Sequence, residues 1–313
     1  MKTHWWFITL LAAGLLFVLG CDSDTTNTAD DPETLVTDQE ALQEMFLNDV
    51  ELEAAEVWGD EDPLGGGNLD EPIEPLHWAR LGHRSNTRVH VEIEGDSVAT
   101  ITRVSHIHGV FRIVTAVTDS GREYVDKEMH NEVIRKSRAV RIRNTPRPRL
   151  NWRIVAVTPD VLNSIEPNPR TVYPESVEIY RHYGEEMELL VSVDEPLHTW
   201  FRRHELPAVL PDEALVVYVN ANREGVFGVL HPRVFRDGHG GRLPLRDDGE
   251  YPDVVAGDGI FSGSFVVGPR PGVFLTGIDL IDFMTLHDSE APYDAGGWGI
   301  PYRVVPAIEE DEG

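Results

Sequence analysis

Cysteine is almost absent from this 313-residue chain: Cys21 is the single one. No disulfide can form within one molecule, so the fold must rest on buried apolar surface. Positive charge is scarce as well, with 27 Lys and Arg against 54 Asp and Glu and a net charge of -27. Such a balance argues against binding nucleic acid or anionic lipid by phosphate neutralisation. Catalytic signatures are missing too. There is no Gly-x-Ser-x-Gly elbow, no His-Glu-x-x-His and no Gly-x-x-x-x-Gly-Lys phosphate loop.

What is there is unevenly spread. Asp22 to Pro75 holds 18 acidic residues and no Lys or Arg, whereas Leu76 to Asp160 holds 15 basic and 9 acidic residues. From Val161 onward acid dominates again, 27 to 11. The basic middle segment is read as partly neutralising its acidic neighbours. Apolar content, 41%, is ordinary for a globular protein and allows a sizeable core, with about two domains as the length prior.

The chain begins with Lys2, His4 and an apolar run from Trp5 to Gly20. That run fits an export signal and lies near the lower limit for a bilayer-spanning helix. Cys21 decides between the two. Val18-Leu19-Gly20-Cys21 resembles the lipobox of bacterial lipoproteins, with Val18 in place of the usual leucine. The resemblance implies cleavage before Cys21, a diacylglycerol thioether on its sulfur and an acylated amino terminus. It further implies an exported protein anchored to a bacterial membrane, on its periplasmic or cell-surface face. Residues 1–21 are then signal and lipidation site, and 22–36 an acidic disordered tether.

Thr37-Asp38-Gln39-Glu40 has the form of a capping box. Leu42, Met45, Phe46, Val50, Ala54 and Val57 recur at helical spacing and predict a helix to about Trp58. From Arg88 the period becomes two. Val89–Glu94 and Val98–Val104 flank Gly95-Asp96 as a hairpin, and further strands are expected at Gly109–Val117, Val133–Arg143 and Trp152–Val157. The helix, this hairpin and the closing Trp152-Arg153-Ile154-Val155 resemble the cone fold of nuclear transport factor and ketosteroid isomerase relatives. The resemblance implies an α+β domain over 37–160, a helix packed on a curved antiparallel sheet with an internal pocket. Residues 161–211 read as a connecting region with a hairpin about Tyr183-Gly184.

Residues 212–306 read as all-β, and 307–313 as an acidic tail. Asp247-Asp248-Gly249 and Ala256-Gly257-Asp258-Gly259-Ile260-Phe261 resemble a signature of immunoglobulin-like modules in bacterial envelope and secreted proteins. The resemblance implies a β-sandwich. Asp-Gly pairs suit turns, because Asp caps nearby N–H groups and Gly accepts positive φ. Asp247, Asp248, Asp253 and Asp258 also form a candidate Ca²⁺ site, the one cofactor the sequence suggests, although the spacing does not match an EF-hand loop.

Three more groups carry candidate chemistry. His106-Ile107-His108 puts two imidazoles on one face of a strand and suits a transition metal if a third ligand exists; His90, His130 and a nearby carboxylate are the candidates. For acid–base work in a cone pocket the candidates are His90, Glu92, His106, His108 and Asp126. The basic run Arg135–Arg143, with Arg147 and Arg149, suits an acidic sugar or carboxylates, or else a charged strand face. The leading expectation is a lipid-anchored envelope protein with a non-catalytic binding, adhesion or scaffolding role. Its expected partners are a membrane, through the lipid, and an envelope protein or glycan. The alternative is a small-molecule binder or enzyme using the cone pocket.

Overall fold

The structure, a computed structural model, describes residues 36–49, 77–118, 121–183, 186–232 and 241–306. All of them fall in one compact unit, Val36–Gly313. The Cys21 segment, the tether, the distal half of the expected helix and the acidic tail lie outside the described residues.

The capping box forms as the sequence predicts. Thr37 accepts from the Glu40 backbone, and the Glu40 carboxylate accepts from the Thr37 N–H at 2.8 Å, which starts helix α1 (Asp38–Leu47). α1 ends at Leu47 with Asn48 as its cap, and the remainder of the expected helix, to Trp58, falls outside the described residues. Leu42 and Phe46 meet Val91, Ala99 and Ile101 in a small core cluster.

Strands then dominate. β1 (His77–Glu94), β2 (Val98–Thr118) and β3 (Gly121–Arg141) form an antiparallel meander of 18, 21 and 21 residues. Two expected strands, Val98–Val104 and Gly109–Val117, are one continuous strand, because the polar stretch between them keeps the period of two. Ser105 is buried and His106 half-exposed, as that alternation requires. Gly109 reads as the start of a strand but serves a closer purpose. A Cβ there would lie 2.1 Å from the Leu81 carbonyl oxygen.

β4 (Trp152–Val157) pairs with the C-terminal end of β3, and β5 (Asp160–Ser164), buried throughout, pairs with its middle, from Asn131 to Ile134. β5 also pairs with β15 (Ala295–Val304), which joins the meander to β14 (Gly272–Asp282), β11 (Val226–Pro232) and β12 (Leu243–Leu245). Short strands β8 (Phe201–Arg202) and β9 (Ala208–Val209) complete this 11-stranded sheet. A second sheet has the order β13 (Ile260–Val266), β10 (Ala214–Ala221), β6 (Pro174–Tyr183) and β7 (Glu186–Val193). Its Val177, Ile179, Leu215, Val217 and Phe265 pack against Ile278, Leu280, Trp298 and Ile300 of the large sheet. The two sheets therefore share one core, and the described residues are β-rich.

This corrects the expected fold class. The N-terminal part is not an α+β domain with a helix layer, whereas two antiparallel sheets packed on one core are compatible with a β-sandwich. Among the described residues the two α-helices are α1 and the five-residue α2 (Phe283–His287), and α1 covers only a corner of the sheet. The finding that overturns the expectation is β5. It splices the first three strands into the sheet that the C-terminal strands build.

The large sheet is strongly curled. Arg80 on β1 holds Asp279 on β14 with two hydrogen bonds, 2.6 and 2.9 Å, although four strands separate β1 from β14 in the sheet order. Arg242, next to the opposite edge strand β12, lies over the Trp78 ring at 3.9 Å and donates to the Trp78 carbonyl. Trp78, Phe111, Met129, Val229 and Ile281 fill the inside of the curl.

Candidate functional site

Four places carry concentrated polar chemistry. The first is the inside of the curl. Asp279 is fully buried between Arg80 and His231, whose Nε2 lies 3.5 Å from it. Burial pushes the Asp279 carboxyl up, but Arg80 and His231 more than offset this and hold it below the ordinary carboxylate value. Arg80 Nε donates to the Tyr293 hydroxyl oxygen at 2.8 Å, and burial raises the Tyr293 phenol. Deeper along the sheet Arg135 grips the fully buried Asp160, and the Gly299 backbone runs beside it, where a Cβ would sit 3.2 Å from the Asp160 Cβ. Lys127 spends its charge on the Asp288 and Ala291 carbonyls, and burial lowers its pKa. These groups are matched with partners across the curl, so their arrangement ties strands together.

The second place is the Asp-rich loop. Asp247 accepts from the backbone of Gly257 at 2.6 Å, Asp258 at 3.2 Å and Gly259 at 3.0 Å. Asp253 accepts from Gly249 at 2.5 Å, and Asp258 from Ile260 at 2.9 Å. Gly249, Gly257 and Gly259 take φ of 74°, 73° and 84°, a region open to glycine. Asp247, Asp253 and Asp258 bring one oxygen each within 4.8 Å of one another. Asp248 stands outside that trio, accepting from Glu250 and facing Arg246 at 3.6 Å. Each of these carboxylates already has backbone donors, which is the arrangement of a capped turn. The loop carries Tyr251, Val254 and Val255 outward, the last two 78% and 53% exposed.

A groove of about 590 Å³ lies beside α1, bounded by Glu44, Asn48 and Asp49, by Arg143 and Arg149, and by Trp152–Ile154 and Arg203. Glu44 pairs with Arg149 at 2.5 Å, and Asp49 with Arg203 at 2.7 Å. The basic run thus divides by strand parity. Arg135 goes inward to Asp160, Arg138 lies over Trp200 at 4.6 Å, and Arg141 reaches Asp38 and covers Trp152.

None of the expected pocket residues lines this groove. His90 sits 3.2 Å from Glu92 on the same strand, both about two-thirds exposed, at 69% and 66%. Asp126 makes a bidentate pair with Arg112, 2.7 and 2.6 Å, and that hydrogen bonding holds its carboxyl below the ordinary value. The structure does not bring His90, Glu92 and Asp126 together.

It does bring other histidines together. His108 on β2 is opposite His83 on β1 and opposite His130 on β3, so three imidazoles share one rung. His106 stands on the next rung of the same face, opposite Asn86 and Glu132. Ring centroids are 4.2 Å apart for His108 and His130, and 6.3 Å for His106 and His108. His130 Nε2 lies 3.1 Å from Glu128, and His106 Nε2 lies 3.8 Å from Glu132. Partial burial, then the neighbouring imidazoles of His130, His106 and His83, pushes the His108 pKa below its ordinary value. Sequence reasoning placed His106 and His108 on one face and offered His130, but missed His83. Its signal was the strand alternation N-terminal to Arg88, which Ser85 and a bulge at Arg84/Asn86 obscure. Comparison with protein-family models, with curated proteins and with solved structures gave no match.

Proposed function

We propose that this is a bacterial envelope lipoprotein, exported and held to a membrane through lipid on Cys21, with a non-catalytic binding or scaffolding role. The observation that carries the reading is Cys21 itself. It is the chain's single cysteine and stands between an apolar run and an acidic stretch without Lys or Arg. Among the described residues no helix is long and apolar enough to cross a membrane.

Two features support binding in preference to catalysis. His90, Glu92 and Asp126 stand in separate exposed pairs, so they offer no shared reaction centre. The Asp-rich loop, whose motif resembles that of immunoglobulin-like envelope modules, presents Tyr251, Val254 and Val255 outward from a turn fixed by its carboxylates. A fixed loop with apolar tips loses little freedom on docking to an envelope protein or glycan.

The test is expression of the full chain and of Cys21→Ser in a bacterial host fed a palmitate analogue. The wild type takes up label and fractionates with membranes; Cys21→Ser loses the label. A Cys21→Ser protein that is still lipid-labelled sinks the reading.

A further inference from the structure

The chain has 13 histidines, and four of them occupy two adjacent rungs of one sheet face. Opposed side chains on neighbouring strands place their Cβ atoms about 4.5–5.5 Å apart. From that spacing imidazoles can meet a single ion at the usual Zn–N distance of about 2.0–2.1 Å. We propose that His83, His106, His108 and His130 bind one transition-metal ion of the class that imidazole holds, Zn²⁺, Cu²⁺ or Ni²⁺.

Two observations converge on this site. Register alone sets His83, His108 and His130 side by side, and His106 follows two residues along on the same face. Glu128 and Glu132 stand beside His130 and His106 at 3.1 and 3.8 Å. Ligating imidazoles commonly hold their second ring nitrogen against such a carboxylate, which fixes tautomer and orientation. His83 is exposed and the other three rings are half-buried, so they can turn about χ1 and χ2 toward a common point while β1, β2 and β3 stay fixed. The site is separate from the Asp-rich loop, whose oxygens suit harder cations.

The test uses the full chain, purified in detergent without a histidine tag, titrated with Zn²⁺ and with Cu²⁺ by calorimetry. Wild type binds one ion per chain at the histidines. His108→Ala and His130→Ala each weaken binding by about tenfold or more, and His90→Ala leaves it unchanged. The Asp253→Ala, Asp258→Ala double variant also leaves it unchanged. No binding by the wild type, or equal affinity in the His108→Ala and His130→Ala variants, overturns the proposal. If either variant melts early, paramagnetic resonance of the Cu²⁺-loaded wild type decides. Coupling to ring nitrogens supports the site, and coordination by oxygen alone overturns it.

Discussion

At Asp279 burial and pairing pull in opposite directions, and pairing wins. The carboxyl is fully buried, which favours its neutral form, yet Arg80 and His231 keep it ionised. Removing one partner of a buried pair leaves the other charge uncompensated and costs about 3–5 kcal/mol. Asp279→Asn is therefore expected to lose stability of that order at pH 7, measured by urea unfolding. The sign of the pH effect follows. A carboxyl whose folded pKa lies below its unfolded value of 3.8 contributes stability above that value. That contribution is lost as pH falls through the folded pKa. The wild type should thus weaken below about pH 4 more steeply than Asp279→Asn.

The Asp-rich loop gives a second prediction for single residues. Asp247 serves three backbone N–H groups, so Asp247→Ala should cost about 1–2 kcal/mol by the same unfolding assay. The capped-turn reading also predicts equal melting curves with calcium and with chelator. A calcium-dependent rise that Asp253→Ala, Asp258→Ala abolishes would contradict it.

For whole elements, what the sequence exposed depended on how local the cause was. The capping box at Thr37 and Glu40 and the turn at Gly95-Asp96 were legible because neighbours in sequence make them. The unity of β2 was not, since the polar stretch before Gly109 interrupts the apolar alternation until β1 is placed beside it. Gly109 is explained by the Leu81 carbonyl across the ladder. Gly109→Ala should push β1 from β2 and cost about 2 kcal/mol or more, read as a fall in melting temperature. His83 was illegible for a related reason. Its importance comes from facing His108 and His130, which is a property of register and not of spacing along the chain. That rung has its own pH signature. A histidine with a depressed folded pKa contributes stability above its unfolded value of 6.5, lost as pH falls. Melting temperature should drop below about pH 6.5, and His108→Asn should flatten that slope.

Across the whole molecule the hidden feature was strand order. The β period marked most strands, but nothing local says that β5 joins β3 to β15, or that β1 curls round to β14. Those links come from long-range pairs such as Arg80–Asp279 and Arg135–Asp160, whose partners are distant in sequence. They replace an α+β domain with one curled sheet backed by a smaller one. The functional reading rests at the other end of the chain, on Cys21. The measurement that tests it most directly is mass spectrometry of the protein isolated from the membranes of a bacterial host. The account predicts a chain whose first residue is Cys21, carrying a diacylglyceryl thioether and an acylated amino group. A chain that retains the Trp5–Gly20 segment, or one that carries an unmodified Cys21, would contradict it.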